Sequence, residues 1–474
     1  MTTATAAQRL ARRLGEPGLV TDAPAGDPRL DQHLSGRPAA RALAWARPRT
    51  GEQCARLLAA CAAEALRAVP VSLGTTFWDP WELEDAVAID LTALDASVVV
   101  DPAARVARCG AAARVAAVDR AARAHGLCLV AYPDADGETS VGSMLSVGSA
   151  AGLGMGRALP VEQCSGGLVA TPGGELASLA GRRGPAGAFG RDGAPGLLSL
   201  IAAAQGRGGV ITEVDLLLRP AHPLARALLT GAADSVDGAL IADRWLGVAR
   251  GAMDVDSLDS FRLELGAEAR ARPRVELLLR CFAAAGAEHA LELTRTVASS
   301  LATGELSLCA AEAEPEAALR GSQPEHAWRY SVPPGQHRSR LGGGAFWGVE
   351  VATSWGAELA PAIDRALALF DAAGELPLLL HRRLGIYPGQ HSVSIGVQVL
   401  VERAERGVDA ARALLEPAAR DLYALGAVPY RWGSLWRAAL GEAPGDDPER
   451  DARRLVDGCL AQLDPSGVLA PWPG

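Results

Sequence analysis

YPDADGETSVGSMLSVGSAAG, residues Tyr132 to Gly152, is the stretch on which the reading of this chain turns. A Pro-Asp turn opens it and a glycine-rich loop follows, with small residues where a packing segment would carry bulk. Glycine and serine at this density let backbone amides approach a ligand that larger side chains would hold off. Upstream, VPVSLGTTF (Val69 to Phe77) is a short strand running into a glycine-containing turn. Downstream, GRGGVITEVDLLLRP (Gly206 to Pro220) is a glycine turn feeding a long apolar strand. Three backbone-rich loops in this order point to a large, phosphate-bearing cofactor held mostly by main-chain groups.

The rest of the chain narrows the classes. Its 474 residues exceed what one core supports, so two or three domains are expected. With 49% hydrophobic and 21% charged residues, the composition is that of a soluble globular protein. No apolar run approaches the ~20 residues of a membrane span. The opening MTTATAAQRLARRLGEPG lacks the apolar segment of a secretory signal, so a cytoplasmic location is the expectation. A net charge of −9 without a basic run argues against a nucleic-acid partner. Lysine is absent, which excludes a lysine Schiff base and a Walker A site. The eight cysteines form no C-x-x-C pair, so neither a zinc site nor a disulfide framework is expected. Cys54 and Cys61, seven apart on one helical face, read as small core residues.

Thr50 opens a capping-box pattern, T-G-E-Q, for a helix that buries Cys54, Leu57, Leu58 and Cys61. Strand-like runs follow at 69–73, 86–91, 97–101 and 105–110. A helix is expected at 115–125 and a further strand at 127–132. GLVATPGGEL (167–176) reads as a hairpin, and the unit closes with the strand 210–218. Arg219-Pro220-Ala221-His222-Pro223 marks a boundary. From 224 to 425 the texture is one of Ala/Leu/Arg helices, for example 272–289 and 358–373, alternating with strands such as 392–401: a sheet covered by helices.

The order of these segments resembles the flavoprotein family of vanillyl-alcohol oxidase and p-cresol methylhydroxylase. Its pyrophosphate loop after "VP(V/I)S", its flavin-lining glycine segment and its "GI(V/I)TE" turn match Val69 to Phe77, Pro133 to Gly148, and Gly209 to Glu213. The tail adds Tyr430-Arg431 in VPYRWG, like the "EYR" of the phenol-oxidising branch, and Leu463 to Gly467, like its terminal "LDPxGI". The resemblance implies an α+β chain: a PCMH-type FAD-binding domain of two α/β subdomains at 35–220, completed by 426–474, and an α/β substrate cap at 224–425. It implies FAD contacts from Ser72, Leu73, Gly74, Thr75, Thr76, Phe77, Pro133, Asp134, Thr139, Gly142, Ser143, Ser146, Gly148, Gly209, Val210 and Thr212. Tyr430 and Arg431 are the implied catalytic pair, since a cation and a donor stabilise an oxygen that ionises as hydride leaves. The implied substrate is a small alcohol or alkylphenol, with a homodimer or an electron-acceptor partner compatible with that reading.

The chain also departs from the family. Phe346 falls at the covalent flavin histidine, and residues 72–77 hold neither histidine nor cysteine, so the expected FAD is non-covalent. The family's Arg-Asn-Gly loop is replaced by Gly74 to Pro80, its second phenolate tyrosine falls near Asp79, and the acidic residue beside the flavin falls near Leu159. These losses sustain an alternative: a cofactor-free descendant acting as a non-redox biosynthetic enzyme or a binding subunit. Blander readings stand beside each site. The 74–76 segment fits a strand-to-loop turn, and Tyr430-Arg431 fits an ion pair at a domain interface. The tryptophans fit either core packing or an aromatic pocket. His326, His337, His381 and His391 read as surface or loop. Tyr387, within RRLGIYPGQ, could reach a substrate.

Overall fold

The computed structural model describes residues 4–16, 18–24, 42–73, 85–129, 139–148, 161–179, 196–232, 237–254, 258–268, 273–302, 306–313, 344–389, 391–430, 435–436, 439 and 448–469. Three sheets organise them. The first has four strands in the order Val20–Thr21, Ala44–Ala46, Ala86–Asp90, Arg67–Val71, the last three parallel. Ala86–Asp90 is buried at every position, the pattern of a parallel strand covered on both faces. The helix Gly51–Ala63 begins at Thr50, whose hydroxyl accepts from Gln53 N at 3.2 Å; the Gln53 side chain accepts from Arg49 N, so the capping box is not reciprocal. Cys54, Leu57, Leu58 and Cys61 on its inner face are fully buried.

The second sheet is antiparallel, in the order Val98–Asp101, Val106–Gly110, Val210–Pro220, Cys164–Ala170, Leu176–Ser178, with Leu127–Leu129 on the far end of Val210–Pro220. The third is antiparallel and eight-stranded: Leu306–Ala313, Leu224–Ala232, Arg274–Phe282, Leu258–Glu268, Leu379–Pro388, Ser392–Glu402, Gly344–Ser354, Val428–Pro429. Helices Leu359–Ala373 and Glu405–Ala424 cover one face of it, over a core that includes Leu263, Leu277, Leu384, Val397 and Val349.

One expected element is different. The run 272–289, read as a helix from its Ala/Leu/Arg texture, is the strand Arg274–Phe282 followed by a separate helix, Ala287–Leu301. Val275, Leu277, Leu279 and Cys281 alternate into the core at the strand period of two. The intervening Glu276 and Arg280 are buried too, so burial of both faces hides the alternation from a composition-based reading.

The tail is bolted to the first sheet. Asp464, 8% exposed, accepts from Val468 N at 2.9 Å and Leu469 N at 2.6 Å, closing the turn of LDPSG. Val468 O then accepts from Ala68 N at 2.7 Å. Val428–Pro429, by contrast, pairs with Gly344–Ser354 of the third sheet.

Candidate active site

The helix Val141–Val147 lies at the centre of the glycine-rich segment. Ser140 caps it, accepting from Ser143 N at 3.2 Å, and Ser72 Oγ meets Ser140 Oγ at 2.9 Å. The first and second sequence motifs are thereby joined. The helix's first amides are engaged within the chain: Val141 N donates to Ala113 O, Gly142 N to Ala111 O and Met144 N to Ser140 O. The glycines serve close approach. A Cβ on Gly142 would sit 2.8 Å from Ala111 Cβ, one on left-handed Gly148 2.7 Å from Ala203 Cβ, and one on Gly209 would strike Val169. Ser72, Leu73, Ser143, Ser146 and Gly148 are half-buried, whereas Thr139 is enclosed, its carbonyl accepting from Val115 N. Gly74 to Phe77, Pro133 and Asp134 lie outside the described residues.

The third motif meets the same corner. In Val210–Pro220, Ile211 pairs with Val169 and Glu213 with Leu168, so Thr212 is the extra residue of a β-bulge. Its hydroxyl donates to Leu168 O at 3.3 Å and its carbonyl accepts from Ala111 N at 3.0 Å. Val210 is a core residue of the first sheet's cluster. Ala111 thus touches both Thr212 and Gly142, a junction the isolated motifs do not announce.

Tyr430 follows the third-sheet strand Val428–Pro429 and reaches this corner. Its amide donates to Glu350 O at 3.0 Å, and its hydroxyl donates to Gly148 O at 2.6 Å. The hydroxyl's proton is therefore spent on a backbone carbonyl. Arg431 lies outside the described residues. Beyond Tyr430, the sheet face opposite the apolar core carries a polar network. Gln398 Nε2 donates to Glu350 Oε1 at 2.5 Å, and Arg383 Nη1 lies 3.5 Å from Gln398 Oε1. Arg383 Nη2 pairs with Glu264 Oε1 at 2.8 Å and also meets Tyr387 Oη, which donates to Glu264 Oε1 at 3.2 Å. The Glu264 side chain is fully enclosed; Tyr387, Gln398 and Glu350 are half-buried.

Among these residues the sequence reading singles out Tyr387 and passes over Glu264, Arg383, Gln398 and Glu350. The available signal is Arg262 and Glu264 alternating with Phe261, Leu263 and Leu265, a strand whose second face is charged. Trp347 and Trp436 belong to the opposite, apolar face, and half-buried Trp355 donates to Gly389 O. His391 is exposed; Trp78, Trp81, Trp432, His326 and His337 lie outside the described residues.

His381 is buried on the polar face. Burial, then the Arg383 guanidinium, pulls its imidazole down to about 4, against an upward pull from Glu264. Because the folded value lies below the ordinary 6.5, the unfolded chain binds the extra proton between these limits. The contribution to stability is complete above pH 6.5 and is lost as pH falls towards 4. Between pH 7 and pH 4 the protein should lose about 3 kcal/mol more than a His381→Gln variant, measured by chemical unfolding. Equal losses in the two proteins would remove His381 as the cause. Burial also pushes the thiols of Cys54, Cys61 and Cys109 up to about 12, which leaves them unsuited to act as nucleophiles.

An FAD fits what is described of this corner. Ser72, Ser143 and Ser146 are small, half-buried hydroxyl residues, and Ser72 is tied by Ser140 to the cap of the helix that carries the other two. Residues 42–180 match the FAD binding domain family. The solved 4-ethylphenol oxidase from Gulosibacter chungangensis shares 13% identity, with a TM-score of 0.72 over 99% of this chain and 97% of that one. For p-cresol methylhydroxylase the values are 14% and 0.71, over 98% and 95%. An alkyldihydroxyacetonephosphate synthase structure shares 12%, with a TM-score of 0.65 over 98% and 84%. None of the curated proteins matches. The fold is that of these FAD-linked enzymes, and the matched part of the chain is an FAD binding domain. The FAD binding domain matched over residues 42–180 indicates FAD as the cofactor. No helix among the described residues is long and apolar enough to cross a membrane.

Proposed function

We infer that the chain oxidises an alcohol or alkylphenol-type small molecule by hydride transfer to a non-covalently held flavin. The observation that carries this reading is the Tyr430 hydroxyl on Gly148 O, which sets the polar face of the third sheet against the glycine-rich helix. The FAD-binding part is assigned to residues 35–220, completed by 426–474, and the cap to 224–425. Segments 72–77, 133–148 and 209–212 would hold the cofactor. Small-residue packing seats Gly142 on Ala111, Gly148 on Ala203 and Gly209 on Val169. When bound, FAD supplies the two-electron acceptor; the protein supplies position. Tyr430 and Arg431 orient the substrate oxygen. The 4-ethylphenol oxidase and p-cresol methylhydroxylase likenesses favour a phenolic or alcoholic substrate.

A second reading, a non-redox biosynthetic enzyme or binding subunit of the same fold, draws support from the synthase likeness and from the helix amides already engaged within the chain. Purified protein should be yellow, release FAD on denaturation and gain thermal stability with added FAD. A colourless preparation that FAD does not stabilise would sink the flavoenzyme reading. A yellow one whose flavin no alcohol or alkylphenol reduces would favour the second.

A further inference from the structure

The three segments assigned to the cofactor meet at one short turn, residues 203–208. Gln205 N donates to Ser146 O at 2.8 Å and Ala203 N to Leu145 O at 3.0 Å, which ties the turn to the glycine-rich helix. At left-handed Gly206 a Cβ would lie 3.3 Å from Pro70 Cγ, so the turn also rests on the strand that leads into residues 72–77. Its last residues meet the end of the chain. Arg207 Nη1 pairs with Asp457 Oδ1 at 2.5 Å, and a Cβ on Gly208 would come 2.8 Å from Leu460 Cδ2 and 3.5 Å from Leu463 Cδ1. We propose that the C-terminal tail, residues 448–469, is a clasp on the cofactor segments, closed in the FAD-bound protein and loosened in the FAD-free one. The inference rests on FAD being the cofactor and is independent of the substrate.

The tail is divided between two cores. Leu460 belongs to that of the second sheet, with Ile201 and Ile211, whereas Val468 and Leu469 belong to that of the first, with Leu57 and Ala68. Asp464 fixes the turn between these anchors by accepting from Val468 N and Leu469 N, and Val468 O accepts from Ala68 N. The cofactor segments are divided in the same way. Residues 72–77 follow the first-sheet strand Arg67–Val71, and residues 209–212 open the second-sheet strand Val210–Pro220. A movement that parts the two sheets must therefore pull Leu460 or Val468 out of its core.

The helix of the tail is anchored lightly. From Arg454 to Gln462 only Leu460 is buried, and Leu455 and Val456 are 69% and 40% exposed. The Arg207–Asp457 pair lies at the surface, where such pairs add little. A helix with so few buried contacts opens at a lower free energy than the sheets beneath it. A ligand that binds only when the turn and the strand are in place shifts that balance towards the closed tail, by its difference in affinity for the two states.

Hydrogen exchange of the full chain, followed by mass spectrometry with FAD bound and after its removal, tests the clasp without turnover. With FAD about a hundred-fold above its dissociation constant, amides of 454–469 should exchange roughly ten-fold or more slowly than in the FAD-free protein. The third-sheet helix Glu405–Ala424 should be unchanged. Asp464→Ala, which removes the acceptor of Val468 N and Leu469 N, should speed exchange in the tail and weaken FAD binding roughly ten-fold, read by flavin fluorescence. Leu460→Ala loosens the helix and spares the turn; it should act in the same direction and serves if the first variant does not fold. Flavin bound with tail exchange unchanged, or with equal slowing in Glu405–Ala424, overturns the clasp alone. A variant with a fast-exchanging tail and wild-type FAD affinity overturns it also. Protein that binds no FAD overturns the cofactor reading together with the clasp.

Discussion

Replacing Arg383 with leucine should lower the unfolding free energy by about 3–5 kcal/mol, the cost of leaving a buried charge without its partner. The Glu264 side chain is fully enclosed and the Arg383 side chain 4% exposed, so water cannot substitute for the lost guanidinium. Glu276 stands opposite Glu264 across the strand pair, adding a second carboxylate to the same face. The double variant Glu264→Leu/Arg383→Leu should recover a large part of the loss, because an enclosed ion pair adds little over well-packed apolar groups. Urea unfolding of the two singles and the double provides the cycle. A loss below about 1 kcal/mol for Arg383→Leu would place the pair in the class of exposed salt bridges and refute the account.

Gly167→Ala should cost about 3 kcal/mol, through a backbone conformation that a side chain resists and a collision it cannot avoid. Gly167 has φ +149, and a Cβ there would collide with the carbonyl oxygen of Glu213 and lie 3.1 Å from Leu179 Cδ1. The Glu213 carbonyl is backbone of the strand that carries the Thr212 bulge, so relief of the clash must move that strand. Thr212 O holds Ala111, and Ala111 O holds Gly142 N. The strain should therefore reach the glycine-rich helix, and FAD affinity should fall along with stability. Gly166→Ala next door is the control: its new methyl would meet only Asp215 Oδ2, at 3.2 Å, with no unusual φ. If both variants melted alike, the specific role of Gly167 would be gone.

The parts of the fold legible in the chain were those with a local cause. Thr50 begins its helix because a hydroxyl can accept from Gln53 N, and Ala86 to Ile89 is apolar because a parallel strand is covered on both sides. Residues 274–282 were misread because their polar positions are buried as well, so the period of two carries no contrast in polarity. At the candidate site, the motifs around Ser72, Gly142 and Thr212 were visible as motifs. That they meet through Ser140 and Ala111 was not, since neither residue has any distinguishing chemistry in the chain.

Tyr430 and the glycine-rich segment were each recognisable from residue type and order, although the segment read as a loop and the structure makes Val141–Val147 a helix. The pairing of the Tyr430 hydroxyl with Gly148 O joins residues 282 apart in the chain. Glu264, Arg383 and Tyr387 likewise acquire their relation only when the strands 258–268 and 379–388 lie side by side. Residue chemistry and local spacing pointed to a large, phosphate-bearing cofactor, and the family resemblance of the motifs supplied FAD and the class of fold. Sheet register, a property of long-range pairing, decided which charged groups share one buried face and which of them reaches its surface.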